Sequence, residues 1–182
     1  ENLKVVTVPN FQNKLFVGIK YGVDGKHVAM SIATKVDEKI FVESIDCQSV
    51  RNGNTWIISF LKEADIEKVV IDGSGSQQIL SDEIKDYGIK LKPVLPKVSD
   101  VVVANNMFEQ AVTSSKNICH NDQPSLKQIV TNCKRRAIGT NGGFGFKAMM
   151  EEHEIALLDS VILAHWSCAT YKGVKKKQKI SC

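Results

Sequence analysis

Apolar residues along the chain fall into short branched or aromatic runs and longer stretches with helical spacing. Residues 15–19 (LFVGI), 27–34 (HVAMSIAT) and 40–45 are short runs. They are separated by turns at Tyr21-Gly22-Val23-Asp24-Gly25 and Val36-Asp37-Glu38-Lys39, and together they predict an antiparallel meander. Asn54 or Thr55 then caps a helix whose apolar stripe is Trp56, Ile57, Phe60 and Leu61. Next comes Lys68-Val69-Val70-Ile71-Asp72, in which consecutive branched residues predict a strand buried on both faces. The helical crossover leading into it predicts that it runs parallel to the first strand. Beyond it the pattern predicts a helix over 76–87 ending at Gly88, and a strand over 90–95 kept at an edge by Pro93. A helix over 98–115, an extended piece over 117–120, and a helix from Gln123-Pro124 to about Cys133 follow. Residues 139–145 carry four glycines and predict a hairpin tip, and a last helix runs from Glu154 to about Tyr171.

Three hairpin strands, then helix-strand-helix-strand, then helices is not the order of a doubly wound nucleotide-binding fold. It matches an α/β, ribonuclease-H-like fold: a mixed five-stranded central sheet, antiparallel meander first and parallel strands after, flanked by helices. The 182 residues, 43% hydrophobic, suffice for one core. The predicted domain covers residues 1–171. Residues 172–182 form a basic, flexible tail holding Lys172, Lys175, Lys176, Lys177 and Lys179. Without these lysines the chain is close to neutral, so affinity for polyanions must come from a local patch or from the tail. Cys47, Cys119, Cys133, Cys168 and Cys182 have neither zinc-ligand nor disulfide-framework spacing and predict free thiols in a reducing cytosol. His27, His120, His153 and His165 are not paired at metal spacing and read as structural or surface residues. No run is long and apolar enough for a membrane span, and no signal peptide opens the chain.

Two carboxylates stand out. Asp72 ends the buried strand, the place where ligands collect in open α/β sheets, and Gly73-Ser74-Gly75-Ser76 turns the chain away behind it. Asp159 lies between Ile155, Ile162 and Trp166 on the apolar side of the last helix, where a buried carboxylate needs a cationic partner or a metal. In a ribonuclease-H-like sheet these two elements and the first hairpin meet. Asp24 is the candidate for a third acid, with a plain hairpin aspartate as its alternative. Such a cluster suits Mg²⁺ or Mn²⁺, and two ions would serve phosphodiester hydrolysis.

VGIKYGVDGKHVAMSIA, VVIDGSGSQQIL, HNDQPSLKQIVTNCKRRAIGTNGGFGFK and IALLDSVILAHW, in this order, resemble the nuclease domain of phage terminase large subunits. The resemblance implies a metal-dependent endonuclease that cuts double-stranded viral DNA concatemers during genome packaging in the host bacterial cytoplasm. It places the catalytic, metal-holding acids at Asp24, Asp72 and Asp159. One position departs from the pattern: after Gly18-Ile19 the family often has an aspartate, and this chain has Lys20. Either Asp24 serves from a shifted position, or Lys20 lies in the site and weakens one metal. The resemblance further implies an ATPase domain, a small terminase subunit and a portal as partners of the whole protein. No G-x-x-x-x-G-K-[ST] motif occurs here, and the missing initiator methionine suggests an excised, mostly monomeric domain.

Lys134, Arg135, Arg136 and Lys147 flank the glycine-rich tip and are the candidate DNA-binding residues, contacting backbone phosphates without base readout. Two other readings keep the fold and change the role. One is a junction resolvase-like nuclease. The other is a non-catalytic DNA- or partner-binding module in which Lys20 has replaced a metal ligand.

Overall fold

The computed structural model describes residue 4 and residues 13–150 and 154–173. His153 and the tail lysines beyond Lys172 lie outside the described residues. Strands β1 (Leu15–Tyr21), β2 (His27–Val36) and β3 (Lys39–Ser49) form the expected meander. A 3₁₀ turn at Val50–Asn52 and helix α1 (Thr55–Glu63) lead to β4 (Ile66–Asp72), which pairs parallel to β1. Asn54 stands at the N-cap of α1, but its amide is used elsewhere: Oδ1 accepts from Tyr21 Oη–H at 2.8 Å and Nδ2 donates to Glu83 at 2.8 Å. Helices α2 (Ser76–Asp86) and α3 (Val98–Thr113), strand β5 (Ile118–Cys119) and helix α4 (Pro124–Thr131) follow. A separate antiparallel ribbon, β6 (Cys133–Ile138) with β7 (Gly143–Ala148), precedes the last helix, α5 (Ala156–Ala169).

The main sheet has five strands in the order β4-β1-β2-β3-β5. Its fifth strand is not the segment expected. Residues 90–95 meet β4 only through Val94, whose N–H donates to Val69 O and whose carbonyl accepts from Ile71 N–H, both at 2.9 Å. The next rung toward β4 falls two residues on, at Pro96, which has no N–H to extend that ladder. The fifth place is filled at the opposite edge by Ile118 and Cys119, parallel to Ile40 and Phe41 of β3.

Because side chains alternate along a strand, the sheet builds a core on each face. Val17, Ile19, Val69 and Ile71 pack with Ile57 and Leu61 of α1 and with Leu80 and Ile84 of α2. On the other face Phe16, Ala29, Ala33 and Val42 pack with α3, α4 and the nearly wholly buried α5. Helix α5 crosses β1, β2 and β3 closely, and Gly18 makes this possible. A Cβ there would lie 2.1 Å from Ser160 O and 2.5 Å from Ala164 N. Ser31 and Ser160, both buried, sit 2.6 Å apart hydroxyl to hydroxyl and pin α5 to β2. Among the described residues no helix is long and apolar enough to cross a membrane.

Candidate metal centre

Strand alternation decides which side chains can meet. Val69 and Ile71 point to the α1/α2 face, so Asp72 points to the α5 face; Val17 and Ile19 likewise put Lys20 on the α5 face of β1. The parallel register sets Lys20 directly beside Asp72. Lys20 Nζ lies 2.5 Å from Asp72 Oδ2, with side chains only 11% and 19% exposed. The strand end is free to turn because Gly73 adopts φ 146°, and a Cβ there would fall 2.5 Å from Tyr21 Cβ.

Helix α5 brings Asp159 to the same place. Asp72, Asp159, Lys20, Asn105 and Arg136 line one small cleft whose free volume is about 20 Å³, room for a water. Asp159 is half-buried. Burial pushes its carboxyl up to about 6; the ammonium of Lys20 and the guanidinium of Arg136 oppose this, while the charges of Asp72 and Glu154 add to it.

Asn105 is a participant that the sequence reading missed. It is 2% exposed, its Nδ2 donates to Val101 O at 2.7 Å, and its Oδ1 has no partner among the described residues. The signal was present: Asn105 is a polar residue next to the buried stripe of Ala104, Phe108 and Ala111 on α3. A buried carbonyl oxygen without a partner beside two carboxylates is an oxygen-rich donor set of the kind a hard cation takes.

Asp24 is not among the residues lining that cleft. Its Oδ1 accepts the Lys26 N–H at 2.9 Å, the Asx-type turn that its position after β1 favours. Its other oxygen is 3.8 Å from His27 Nδ1, which in turn lies 2.8 Å from Glu154 Oε2. Ligand atoms of Asp24, His27 and Glu154 come within 4.8 Å of one another. The structure therefore seats Asp24 in a group of its own with His27 and Glu154, and of the three expected acids only Asp72 and Asp159 share the cleft.

No protein-family model matches the sequence, and no curated protein matches it significantly. Solved structures do match. The large terminase of bacteriophage HK97 superposes with a TM-score of 0.64 at 13% identity, covering 86% of this chain and 40% of that one. The large terminase nuclease of thermophilic phage G20c with bound magnesium gives 0.60 at 14% identity, covering 86% of this chain and 82% of that one. The nuclease domain of the large terminase from bacteriophage SPP1 with bound Mn gives 0.50 at 14% identity, with 84% and 85% covered. The fold is that of the large-terminase nuclease domain. The chain spans less than half the length of the HK97 protein. At these identities the likeness is one of fold alone.

On this nuclease fold the β6–β7 ribbon stands beside the cleft. Lys134 faces Lys147 across the ladder and Arg136 faces Gly145, so Lys134, Arg136 and Lys147 share one face. Arg136 and Gly145 both line the acidic cleft, which makes this the face turned toward it. Arg135 points the other way. It is paired with Glu109 of α3, Nε donating to Oε1 at 2.8 Å and Nη2 to Oε2, and its guanidinium lies 4.3 Å from the centre of the Phe144 ring. The four basic residues grouped by sequence thus divide into three on the ribbon face that carries Arg136 into the cleft and one that fastens the ribbon to α3.

Proposed function

We propose that this chain is the DNA-cutting part of a larger viral packaging protein, a divalent-metal-dependent endonuclease acting on double-stranded DNA. The convergence of Asp72 and Asp159, from different elements, in one cleft beside a basic ribbon carries the reading. Two carboxylates and the free oxygen of Asn105 fit a hard cation such as Mg²⁺ or Mn²⁺. Such an ion would supply the Lewis acidity for hydrolysis, in which water adds to phosphorus and one P–O ester bond breaks. The protein's own groups do the rest. Asp72 and Asp159 would hold the ion, Lys20 fixes the orientation of Asp72, and Arg136, Lys134 and Lys147 would hold the backbone phosphates. The ATPase domain, small terminase subunit and portal, and packaging in the host cytoplasm, belong to the same proposal for the whole protein.

Supercoiled plasmid incubated with the chain and Mn²⁺ tests this reading. Nicked or linear product from the wild type and none from Asp72→Asn supports it. Cleavage confined to branched junctions would favour a resolvase. Intact plasmid would favour a non-catalytic DNA-binding module, a reading that the Lys20–Asp72 ion pair itself supports.

The ribbon gives a separate prediction. Lys134→Ala, Arg136→Ala and Lys147→Ala should each weaken duplex binding in a filter or fluorescence assay and flatten its log–log salt dependence by roughly one unit per charge removed. Arg135→Ala should leave that slope unchanged and lower the melting temperature instead, because its partner is Glu109. An equal loss of slope in Arg135→Ala would place Arg135 on the DNA.

A further inference from the structure

From the geometry of the cleft we infer that this site takes one divalent ion, and that the ammonium of Lys20 stands where a second cation would otherwise be needed. The inference rests on the nuclease reading of the same site and concerns how its charge is supplied. Lys20 sits on β1 directly beside Asp72 and occupies one of its two carboxylate oxygens at 2.5 Å, leaving Oδ1 for an ion. With 11% of its side chain exposed, Lys20 is held within the site and is not a passing surface charge. Oxygen donors remain for one cation: Asp72 Oδ1, the carboxylate of Asp159 and the unpartnered Oδ1 of Asn105.

Charge leads to the same count. One divalent ion, the ammonium of Lys20 and the guanidinium of Arg136, set against two carboxylates, already leave the cleft with two net positive charges. A second divalent ion would add two more charges with no further carboxylate to hold it, since Asp24 is engaged with Lys26 N and grouped with His27 and Glu154. Like-charge repulsion between Lys20 and a second ion opposes its entry. Lys20 is in this sense a positioning residue that also supplies charge. It fixes Asp72 and makes the second ion unnecessary.

The test counts ions without reference to cleavage. Mn²⁺ is titrated into the 182-residue chain, with free Mn²⁺ followed by its EPR signal. The Asp72→Asn/Asp159→Asn double variant is run alongside, so that ions bound elsewhere, including at Asp24, His27 and Glu154, are subtracted. The expected difference is one ion per chain. A difference of two overturns the inference and leaves the nuclease reading standing; a difference of zero overturns both. Lys20→Asp, confirmed as folded by circular dichroism, should raise the count to two, and an unchanged count would overturn the role given to Lys20. Lys20→Glu serves the same purpose should Lys20→Asp fail to fold.

Discussion

Asp159→Asn is expected to melt at a higher temperature than the wild type at neutral pH while losing all metal-dependent cleavage. Both effects have one cause. The carboxyl of Asp159 is pushed up to about 6 chiefly by burial, so at neutral pH the folded chain holds a charge it would rather not hold. A displacement of that size corresponds to about 3 kcal/mol, and water reaching the open side of the cleft reduces it to about 1–2 kcal/mol. For a chain of this length the melting temperature should rise by roughly 2–8 °C. The pH dependence follows from the direction of the shift. A raised carboxyl binds its proton more tightly folded than unfolded, so its stabilising contribution is complete below about pH 4 and is lost as pH rises through about 6. The gain from Asp159→Asn is therefore full above about pH 6 and vanishes below about pH 4. Thermal melts in EDTA across that range check it, and a pH-independent difference would remove burial of charge as the cause. Cleavage fails because an amide cannot replace the charged ligand.

Gly18→Ala should be the most damaging single methyl group in the protein. The new Cβ would meet backbone atoms of α5, Ser160 O at 2.1 Å and Ala164 N at 2.5 Å, and the Leu163 Cβ at 3.0 Å. Backbone in a buried helix cannot turn aside as a flexible side chain can, so α5 must lift from β1. The expected cost is ~3 kcal/mol or more, at the upper end for overpacking. Asp159 directly precedes Ser160, so the same displacement parts it from Asp72. Chemical denaturation should show the loss of stability, and Mn²⁺ affinity should fall in whatever fraction remains folded. A stable Gly18→Ala that binds Mn²⁺ normally would mean that the close crossing of α5 over β1 does not position the site.

Much of this molecule was legible in its sequence where a residue's neighbours in the chain determine its fate. The branched run before Asp72, the glycine after it and the apolar surroundings of Asp159 are local patterns, and they identified the two acids that share the cleft. The departure at Lys20 was legible only through the resemblance to terminase nucleases, whose pattern often has an aspartate after Gly18-Ile19. Features set by distant partners were not. Ile118 and Cys119 form a strand only because β3 offers an edge to pair with, and the strand expected over residues 90–95 stops at Val94 because Pro96 has no N–H for the next rung. Arg135 was indistinguishable from Arg136 until Glu109 and Phe144 were seen beneath it. Asp24 followed turn chemistry, and its company with Glu154 spans most of the chain.

The most direct measurement is anomalous diffraction from a crystal of this chain soaked in Mn²⁺. The expected result is a single peak in the cleft between the carboxylates of Asp72 and Asp159, with Lys20 still beside Asp72. Anomalous density confined to Asp24, His27 and Glu154, with the cleft empty, would contradict it.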